Sequence, residues 1–131
     1  MPTSPRLSPA AEDFLAENQL CTFTTLRPDG SPHVTPVRFT WDGEAGLARV
    51  MTAVTRRKAR NVLAAPGGRV SLCQTAGPRW ITLEGTATVH DDPSRVQEGV
   101  RRYAKRYWSP PPEPPGLVVI EIDVDRVLGL L

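Results

Sequence analysis

The chain contains few of the residues that most catalytic and metal sites use. Among 131 residues it has two histidines and two cysteines, and they do not have the spacing of a metal site or a catalytic triad. Cys21 and Cys73 both lie in apolar, strand-like runs, which is typical of small buried side chains in a reduced cytosolic protein rather than of a disulfide. We therefore assign no metal ligand and no catalytic residue from the sequence.

Long apolar runs and a strong charge bias are also missing. No stretch has the length of a membrane span or a signal peptide, so we expect a cytoplasmic protein without a membrane partner. The formal net charge of +2 is too small to suggest a protein that coats nucleic acid. The length and the 40% hydrophobic content predict a single domain over residues 1–131. Residues 1–7 are rich in proline and serine, and we expect them to be flexible.

The residues that are present predict a mainly β protein. Apolar alternation and β-branched residues indicate six strands, and Ser-Pro or Asp-Pro pairs at helix starts help to indicate three helices. The predicted strands cover residues 20–26, 32–41, 48–52, 69–75, 79–90 and 117–128, and the helices begin at Ser8-Pro9, near Arg56 and at Asp92-Pro93. Six antiparallel strands of this length can close into a small barrel, which removes exposed sheet edges. We therefore predict a six-stranded antiparallel β-barrel with three α-helices.

Two of the predicted strands allow predictions for single positions. Pro36 cannot donate to a ladder, so it marks a sheet edge or a bulge. In the last strand, alternation predicts core positions and outward positions. The expected core residues are Val118, Ile120, Ile122 and Val124, and the expected outward residues are Val119, Glu121, Asp123 and Asp125.

A basic triplet, Arg56-Arg57-Lys58, stands where the second helix is expected to begin. The first turn of a helix has unpaired N–H groups and a partial positive charge, so basic side chains are unfavourable there. An anion such as phosphate would supply the missing negative charge. The alternative is a solvated basic face. Three basic residues in a row at a strand-to-helix junction favour the anion site.

The sequence shows no catalytic apparatus made of protein groups alone. His33 and His90 lie in no recognisable triad, and His33 at a strand start is more simply a polar surface residue. Neither a phosphate-binding P-loop nor a Gly-x-Gly-x-x-Gly motif is present. If the protein is an enzyme, a cofactor is expected to supply the reactivity while the protein binds and orients it.

The order of elements and the segment from Val50-Met51-Thr52 to Arg57-Lys58-Ala59 resemble the split-barrel flavin- and deazaflavin-binding family, which includes pyridoxamine 5'-phosphate oxidase. The resemblance implies the FMN-binding split-barrel fold and a homodimer with cofactor sites at the subunit interface. It places the phosphate at Thr52 and the Arg-Lys pair, and the ring along Thr35-Pro36-Val37. The cofactor-binding residues it implies are His33, Thr35, Pro36, Val37, Met51, Thr52, Arg56, Arg57, Lys58, Asn61, Gln74, Arg79 and Trp80.

Shorter runs look like the F-420-dependent biliverdin reductases within this family. They are Leu26-Arg27, Ser31-Pro32-His33-Val34, Arg79-Trp80, Leu83-Glu84-Gly85, Arg102-Tyr103-Ala104, Arg106-Tyr107 and Val118-Val119-Ile120-Glu121. This resemblance implies hydride transfer from reduced coenzyme F-420, a deazaflavin, to a conjugated substrate, most simply biliverdin to bilirubin. Arg38 and Arg79 are then candidates, by position, for holding the two propionates of biliverdin.

Charge favours the deazaflavin over a flavin. Coenzyme F-420 carries a phosphodiester and an oligoglutamate tail, and arginine suits both phosphate and carboxylate. FMN ends at its phosphate and would leave some of the arginines near Arg56 without a partner. The alternatives are an FMN-dependent oxidoreductase of the pyridoxamine phosphate oxidase type and a non-enzymatic cofactor- or haem-binding protein. Trp41, Trp80 and Trp108 provide aromatic surface for a homodimer interface, or they are core residues of a monomer.

Overall fold

The computed structural model describes residues 5–131, in which the chain forms three helices and seven strands. The helices are α1 (Pro9–Ala16), α2 (Arg57–Ala64) and α3 (Pro93–Tyr107). The strands are β1 (Cys21–Leu26), β2 (Pro32–Val37), β3 (Phe39–Asp42), β4 (Leu47–Ala53), β5 (Arg69–Ala76), β6 (Arg79–His90) and β7 (Leu117–Leu130). Within the same residues, no helix combines the length and the apolar character needed to cross a membrane.

The strands form one antiparallel sheet in the order β2-β1-β5-β6-β7-β4-β3. Its two edge strands, β2 and β3, follow each other in the chain with Arg38 alone between them. The sheet must therefore curl until its edges come together at Arg38, although no ladder joins them. This is a split barrel, and the predicted fold class is confirmed.

The predicted count of six strands is wrong, because residues 32–41 form two strands. β2 pairs with β1, whereas β3 pairs with β4 at the other edge of the sheet. Val37 and Phe39 are both buried and Arg38 is exposed, so the alternation continues across the break. A period-two pattern cannot show that the partner strand changes. The prediction that Pro36 marks a sheet edge is confirmed, because β2 is an edge strand.

The core fills the inside of the curled sheet. Phe14, Phe23 and Phe39 are almost completely buried there, together with the inward residues of β6 and β7. The predicted caps are confirmed: Ser8 Oγ accepts from the Ala11 N–H at 3.1 Å, and Asp92 Oδ2 accepts from the Arg95 N–H at 3.2 Å. These caps fix where α1 and α3 begin on the barrel.

The outer side of β7 differs from the prediction. Val119 is fully buried and Glu121 is 5% exposed, because α3 packs over the outer side of β3, β4 and β7. Glu121 accepts a hydrogen bond from Arg95 of α3 at 2.6 Å. Asp123 and Asp125 lie farther along the strand and are exposed, as predicted. Alternation assigns a residue to a side of the sheet, but it does not show that a helix covers that side.

The beginning of the chain is described from residue 5 onward. Residues 1–4 of the segment predicted to be flexible lie outside the described residues. Leu7 packs against the core, so the segment is anchored at its end. Cys21 is buried and Cys73 is half-buried, and both are free thiols. Burial raises the pKa of the Cys21 thiol to about 12, as expected for an inert core cysteine.

Candidate functional site

A cavity of about 270 Å³ lies beside the start of α2. Four parts of the fold meet there: the end of β2, the end of β4, the first turn of α2 and one face of α3. The proline-rich segment before β7 covers part of it. The lining residues are Pro36, Val37, Arg38, Met51, Thr52, Ala53, Arg56, Lys58, Tyr103, Pro111, Pro112, Pro114 and Leu117.

The basic residues at the start of α2 have no negative partner. Arg56 is the N-cap and makes no side-chain cap hydrogen bond, and the first turn contains no acidic residue. Across residues 5–131, no side-chain hydrogen bond or ion pair involves Arg56, Arg57, Lys58 or Arg60. Their charges add to the partial positive charge of the helix N-terminus. The N-terminal end of α2 is therefore a favourable binding position for an anion.

Lys58 is the most enclosed of these four cations. It is half-buried and lines the cavity. Burial, and secondarily the charge of Arg56, lowers the pKa of its ammonium group below the ordinary value. A shielded cation beside another cation is unfavourable unless an anion joins them. The position is costly for the protein alone and favourable in a complex with an anion.

The cavity collects about half of the predicted site residues from distant parts of the chain. Thr52 stands at the end of β4, is 8% exposed and shares the cavity with Lys58. Arg57 follows Arg56 but is exposed and outside the lining. The predicted residues that line the cavity are Pro36, Val37, Met51, Thr52, Arg56 and Lys58, together with the substrate candidate Arg38.

His33 and Thr35 lie on β2, on the strand that leads to the cavity. Nδ1 of His33 is buried and has no hydrogen-bond partner within the described chain. Burial lowers the pKa of His33, and the positive charges of Arg27, Lys58 and Arg57 lower it further. The ring is therefore neutral near pH 7, with an unpaired nitrogen in the field of the α2 cations.

Asn61 and Gln74 contribute to packing inside the protein. The side-chain amide of Asn61 donates to Thr25 Oγ1 at 2.9 Å and joins α2 to β1. Gln74 is completely buried and donates to the Phe14 carbonyl at 2.7 Å. Neither residue lines the cavity, and a role for them in cofactor binding stays a prediction.

Arg79 and Trp80 begin β6, away from the cavity lining. Arg79 forms an ion pair with Glu17 at 2.9 Å, and its guanidinium lies 4.7 Å from the centre of the Phe14 ring. Trp80 lies opposite Leu130 of β7. These contacts give Arg79 a structural partner, and contact of either residue with a cofactor stays a prediction.

Sequence reasoning missed Tyr103 and the prolines as lining residues. Leu117 lies opposite Ala53 in the ladder between β7 and β4, and the Gly116 carbonyl accepts from the Val54 N–H at 2.8 Å. These contacts bring the segment before β7 to the end of β4. A stiff run of five prolines between residues 109 and 116 was the available signal. The place of this proline-rich segment at the cavity could be predicted only by knowing that β7 pairs with β4.

Arg38 is held against α3 by two aromatic residues. Its Nη1 donates to the Tyr103 hydroxyl at 3.3 Å, and its guanidinium carbon lies 5.2 Å from the centre of the Tyr107 ring. Tyr107 is itself fixed, since its hydroxyl donates to the Phe39 carbonyl at 2.6 Å. Arg38, which connects the edge strands β2 and β3, is therefore a cation held in a fixed position at the cavity.

A second cavity of about 340 Å³ lies between α1, β3 and α3 and contains none of the predicted site residues. Trp41 and Trp108 are among its lining residues. Trp108 is 90% exposed and has a left-handed backbone, with φ 59°. The interpretation of all three tryptophans as core residues is therefore wrong for Trp108.

Comparison with known proteins matches this chain to one family. The family model described as "Pyridoxamine 5'-phosphate oxidase" matches residues 7–130. An F-420H(2)-dependent biliverdin reductase of Mycobacterium tuberculosis (strain CDC 1551 / Oshkosh) is 46% identical over 127 residues, which cover 97% of this chain and 90% of that protein.

Solved structures agree at the level of the fold. A structure described as an F420 reductase has a TM-score of 0.72 and 26% identity, covering 89% of this chain and 94% of the other. A putative pyridoxamine 5'-phosphate oxidase from Listeria innocua has a TM-score of 0.71 and 21% identity, covering 92% and 95%. Together with the family model, which spans nearly all of the chain, these similarities show that the protein belongs to the pyridoxamine 5'-phosphate oxidase family of split barrels.

Proposed function

We propose that this protein is an F-420-dependent reductase that reduces a conjugated tetrapyrrole, with biliverdin as substrate and bilirubin as product. The main structural support is a group of four cations at the start of α2, Arg56, Arg57, Lys58 and Arg60, that have no negative partner among residues 5–131. The 46% identity to a biliverdin reductase that uses reduced F-420 supports both the cofactor and the substrate.

The unpaired cations fit the charge of F-420. Its phosphodiester needs one or two of them, and its glutamate tail needs more. Arg56 and Lys58 face the cavity, whereas Arg57 and Arg60 are exposed nearby on the same helix. A charge-assisted hydrogen bond contributes roughly 1.5–3 kcal/mol where it is shielded from water and less where it is exposed. The two cations that line the cavity therefore hold the phosphate, with Lys58 the more shielded of the two, and Arg57 and Arg60 attract the tail.

The remaining cavity residues orient the ring and exclude water. Thr52 and the α2 N-terminus hold the phosphate end, while Pro36, Val37 and Met51 form the wall along the ring. The prolines before β7 and Tyr103 close the opposite side. Bound reduced F-420 supplies a hydride, so the protein has to contribute position and a dry environment. His33 and Thr35 extend the same wall along β2.

Arg38 is suited to a carboxylate of the substrate. It lines the cavity and remains exposed, while its contacts with Tyr103 and Tyr107 fix its direction. A guanidinium in a fixed position can bind a carboxylate through two parallel hydrogen bonds. Biliverdin has two propionates, and Arg38 holds one of them.

The protein acts as a homodimer through the uncovered outer side of the sheet. The helices pack mainly on the core side and on the outer side of β3, β4 and the first half of β7. No helix of the described chain packs mainly on the outer side of β2, β1, β5 and β6. Small uncharged residues lie next to one another there on neighbouring strands. These residues are Thr22, Thr24, Ser71, Cys73 and Thr82, flanked by the exposed Leu26, Val34, Leu128 and Leu130. Glu84 and Arg69 also lie on this side, where they pair with Arg126 and Asp125. A surface of small residues, exposed apolar side chains and paired charges suits a second copy of the chain.

Ligand titration and turnover test this function. The purified protein is titrated with F-420 and with FMN, and oxidation of reduced F-420 is then followed by its absorbance after biliverdin is added. F-420 binding together with oxidation that depends on biliverdin is the expected result. Tight FMN binding without F-420 binding would contradict it and favour an FMN-dependent oxidoreductase. Binding without turnover of any reducible substrate would indicate a carrier of cofactor or haem.

A further inference from the structure

Tyr103 lines the cavity and carries a hydroxyl whose hydrogen has no acceptor among residues 5–131. The residue is 8% exposed and lines the cavity. Its hydroxyl oxygen accepts from Arg38 Nη1 at 3.3 Å. Within residues 5–131, no group accepts a hydrogen bond from this hydroxyl. A buried hydroxyl normally uses its hydrogen, so the missing acceptor is expected to be a ligand in the cavity.

Tyr107, the other tyrosine of the chain, differs in this respect. Its hydroxyl donates to the Phe39 carbonyl at 2.6 Å. Burial raises the pKa of Tyr107 to about 12. Its hydrogen is committed to the backbone of β3, and it does not line the cavity. The two rings lie 4.8 Å apart between centroids, so Tyr107 supports Tyr103 from behind.

The other titratable side chains in the cavity are less suited to release a proton. They are Arg38, Arg56 and Lys58. Arginine is not deprotonated in proteins. The pKa of Lys58 is lowered in the protein alone, but a phosphate bound beside Lys58 and Arg56 stabilises the ammonium form, so Lys58 keeps its proton in the complex. Tyr103 is the remaining titratable side chain among the described residues that line the cavity, and its oxygen already lies 3.3 Å from Arg38 Nη1.

We propose that Tyr103 is the proton donor in the reduction, an inference that rests on the proposed function. The substrate receives a hydride at an electron-poor carbon, and the electron pair of its conjugated system moves to a ring nitrogen. That nitrogen takes the proton of the Tyr103 hydroxyl, so an N–H bond forms as the O–H bond breaks. The substrate gains two electrons, which the cofactor loses. Water reprotonates the phenolate beside Arg38 after the product leaves.

The main test replaces Tyr103 by phenylalanine, which removes the hydroxyl and keeps the ring. We expect kcat to fall by about a hundredfold or more, the usual range for loss of a general acid, while the Kd for F-420 changes less than about threefold. Ser94→Ala is the control on the same helix, since it removes an exposed hydroxyl that lies outside the cavity. Its kcat should stay near that of the wild type.

A second measurement needs neither turnover nor the cofactor. Because the chain has two tyrosines, NMR of protein labelled at tyrosine Cζ gives two signals. The Tyr107→Phe variant keeps only the Tyr103 signal and so assigns both. Adding biliverdin to the cofactor-free protein should change the chemical shift of the Tyr103 Cζ signal, because the hydroxyl then donates a hydrogen bond to the ligand. The Tyr107 signal should not move.

The outcomes separate this inference from the proposed function. A wild-type protein that reduces biliverdin with F-420, together with a fully active Tyr103→Phe variant, would overturn the role of Tyr103 alone. An unchanged chemical shift of the Tyr103 signal in the presence of bound biliverdin would do the same. A wild-type protein without any F-420-dependent turnover would overturn the proposed function and the proton donor with it.

Discussion

Arg106 donates a hydrogen bond to the side-chain oxygen of Gln74 at 2.6 Å and so joins the end of α3 to a fully buried residue of β5. The same guanidinium donates to the carbonyls of Phe39 and Glu17. Burial lowers the pKa of Arg106, and carbonyl and amide oxygens surround the charge in place of a carboxylate. Arg106 therefore fixes α3 next to Arg38. The wall of the cavity that Tyr103 of α3 forms depends on this position of the helix.

Arg106→Met should destabilise the protein by about 2 kcal/mol, because Gln74 Oε1 loses its donor in the core. Urea unfolding measures the change. The control is Arg101→Met on the same helix, which breaks a solvent-exposed pair with Glu98 and should lower the stability less than Arg106→Met does. Equal losses in the two variants would contradict the role given to Arg106.

Lys58→Ala should raise the Kd for F-420 by roughly 10- to 100-fold, the loss of one shielded charge-assisted contact. Its free energy of unfolding should change little, because Lys58 has no partner within residues 5–131. Fluorescence titration and urea unfolding measure the two quantities. Lys105, the other lysine of the chain, lies outside the α2 cavity, and Lys105→Ala should leave the affinity unchanged. Parallel losses of affinity and stability in Lys58→Ala would indicate a structural lysine instead.

Gly99→Ala should destabilise α3 although alanine is the better helix former. The added Cβ would lie 2.5 Å from Met51 Sδ and 3.2 Å from Val119 Cγ2. Overpacking of this kind costs about 1–3 kcal/mol and pushes Met51, which lines the cavity. Combining Gly99→Ala with Met51→Ala should recover part of the loss in a double-mutant cycle of unfolding free energies. Simple additivity of the two substitutions would count against this contact.

Stability should fall in acid partly through Glu98. Hydrogen bonds from Arg101 and Arg102 lower the pKa of Glu98 from the ordinary 4.5 to about 2. A lowered pKa in the folded protein means that the contribution is complete above the unfolded pKa and is lost as the pH falls from about 4.5 to about 2. Glu98→Gln should therefore flatten the dependence of the urea midpoint on pH over that window. A Glu98→Gln variant that keeps the wild-type dependence would contradict this contribution.

Local patterns predicted most of the fold correctly. Strand alternation and the Ser8-Pro9 and Asp92-Pro93 caps depend on neighbouring residues, so the elements could be found within a few positions of their observed bounds. The break at Arg38 could not be found, because both strands share one alternation. The burial of Val119 and Glu121 was missed for a related reason: it depends on α3, which lies some twenty residues away in the chain.

The candidate site was predictable where its residues are adjacent in sequence. The basic residues from Arg56 to Lys58 and the nearby Thr52 formed a visible pattern at a strand-to-helix junction. Gln74 and Arg79 entered through family resemblance, and the structure shows what a sequence comparison does not: their polar groups already have partners in Arg106 and Glu17. Tyr103 and the prolines were missed because their contacts with the cavity arise from sheet pairing.

The sequence by itself determined the mainly β class, the helix starts and the uncompensated charge at α2, because each follows from residues within one or two turns of chain. The tertiary structure alone decided that β2 and β3 stand at opposite sheet edges, that α3 covers the outer side of β7, and that Arg38 and Tyr103 meet at the cavity. Those relations join residues as far apart as 65 positions. Such contacts depend on how the whole sheet curls and packs, and no local pattern records them.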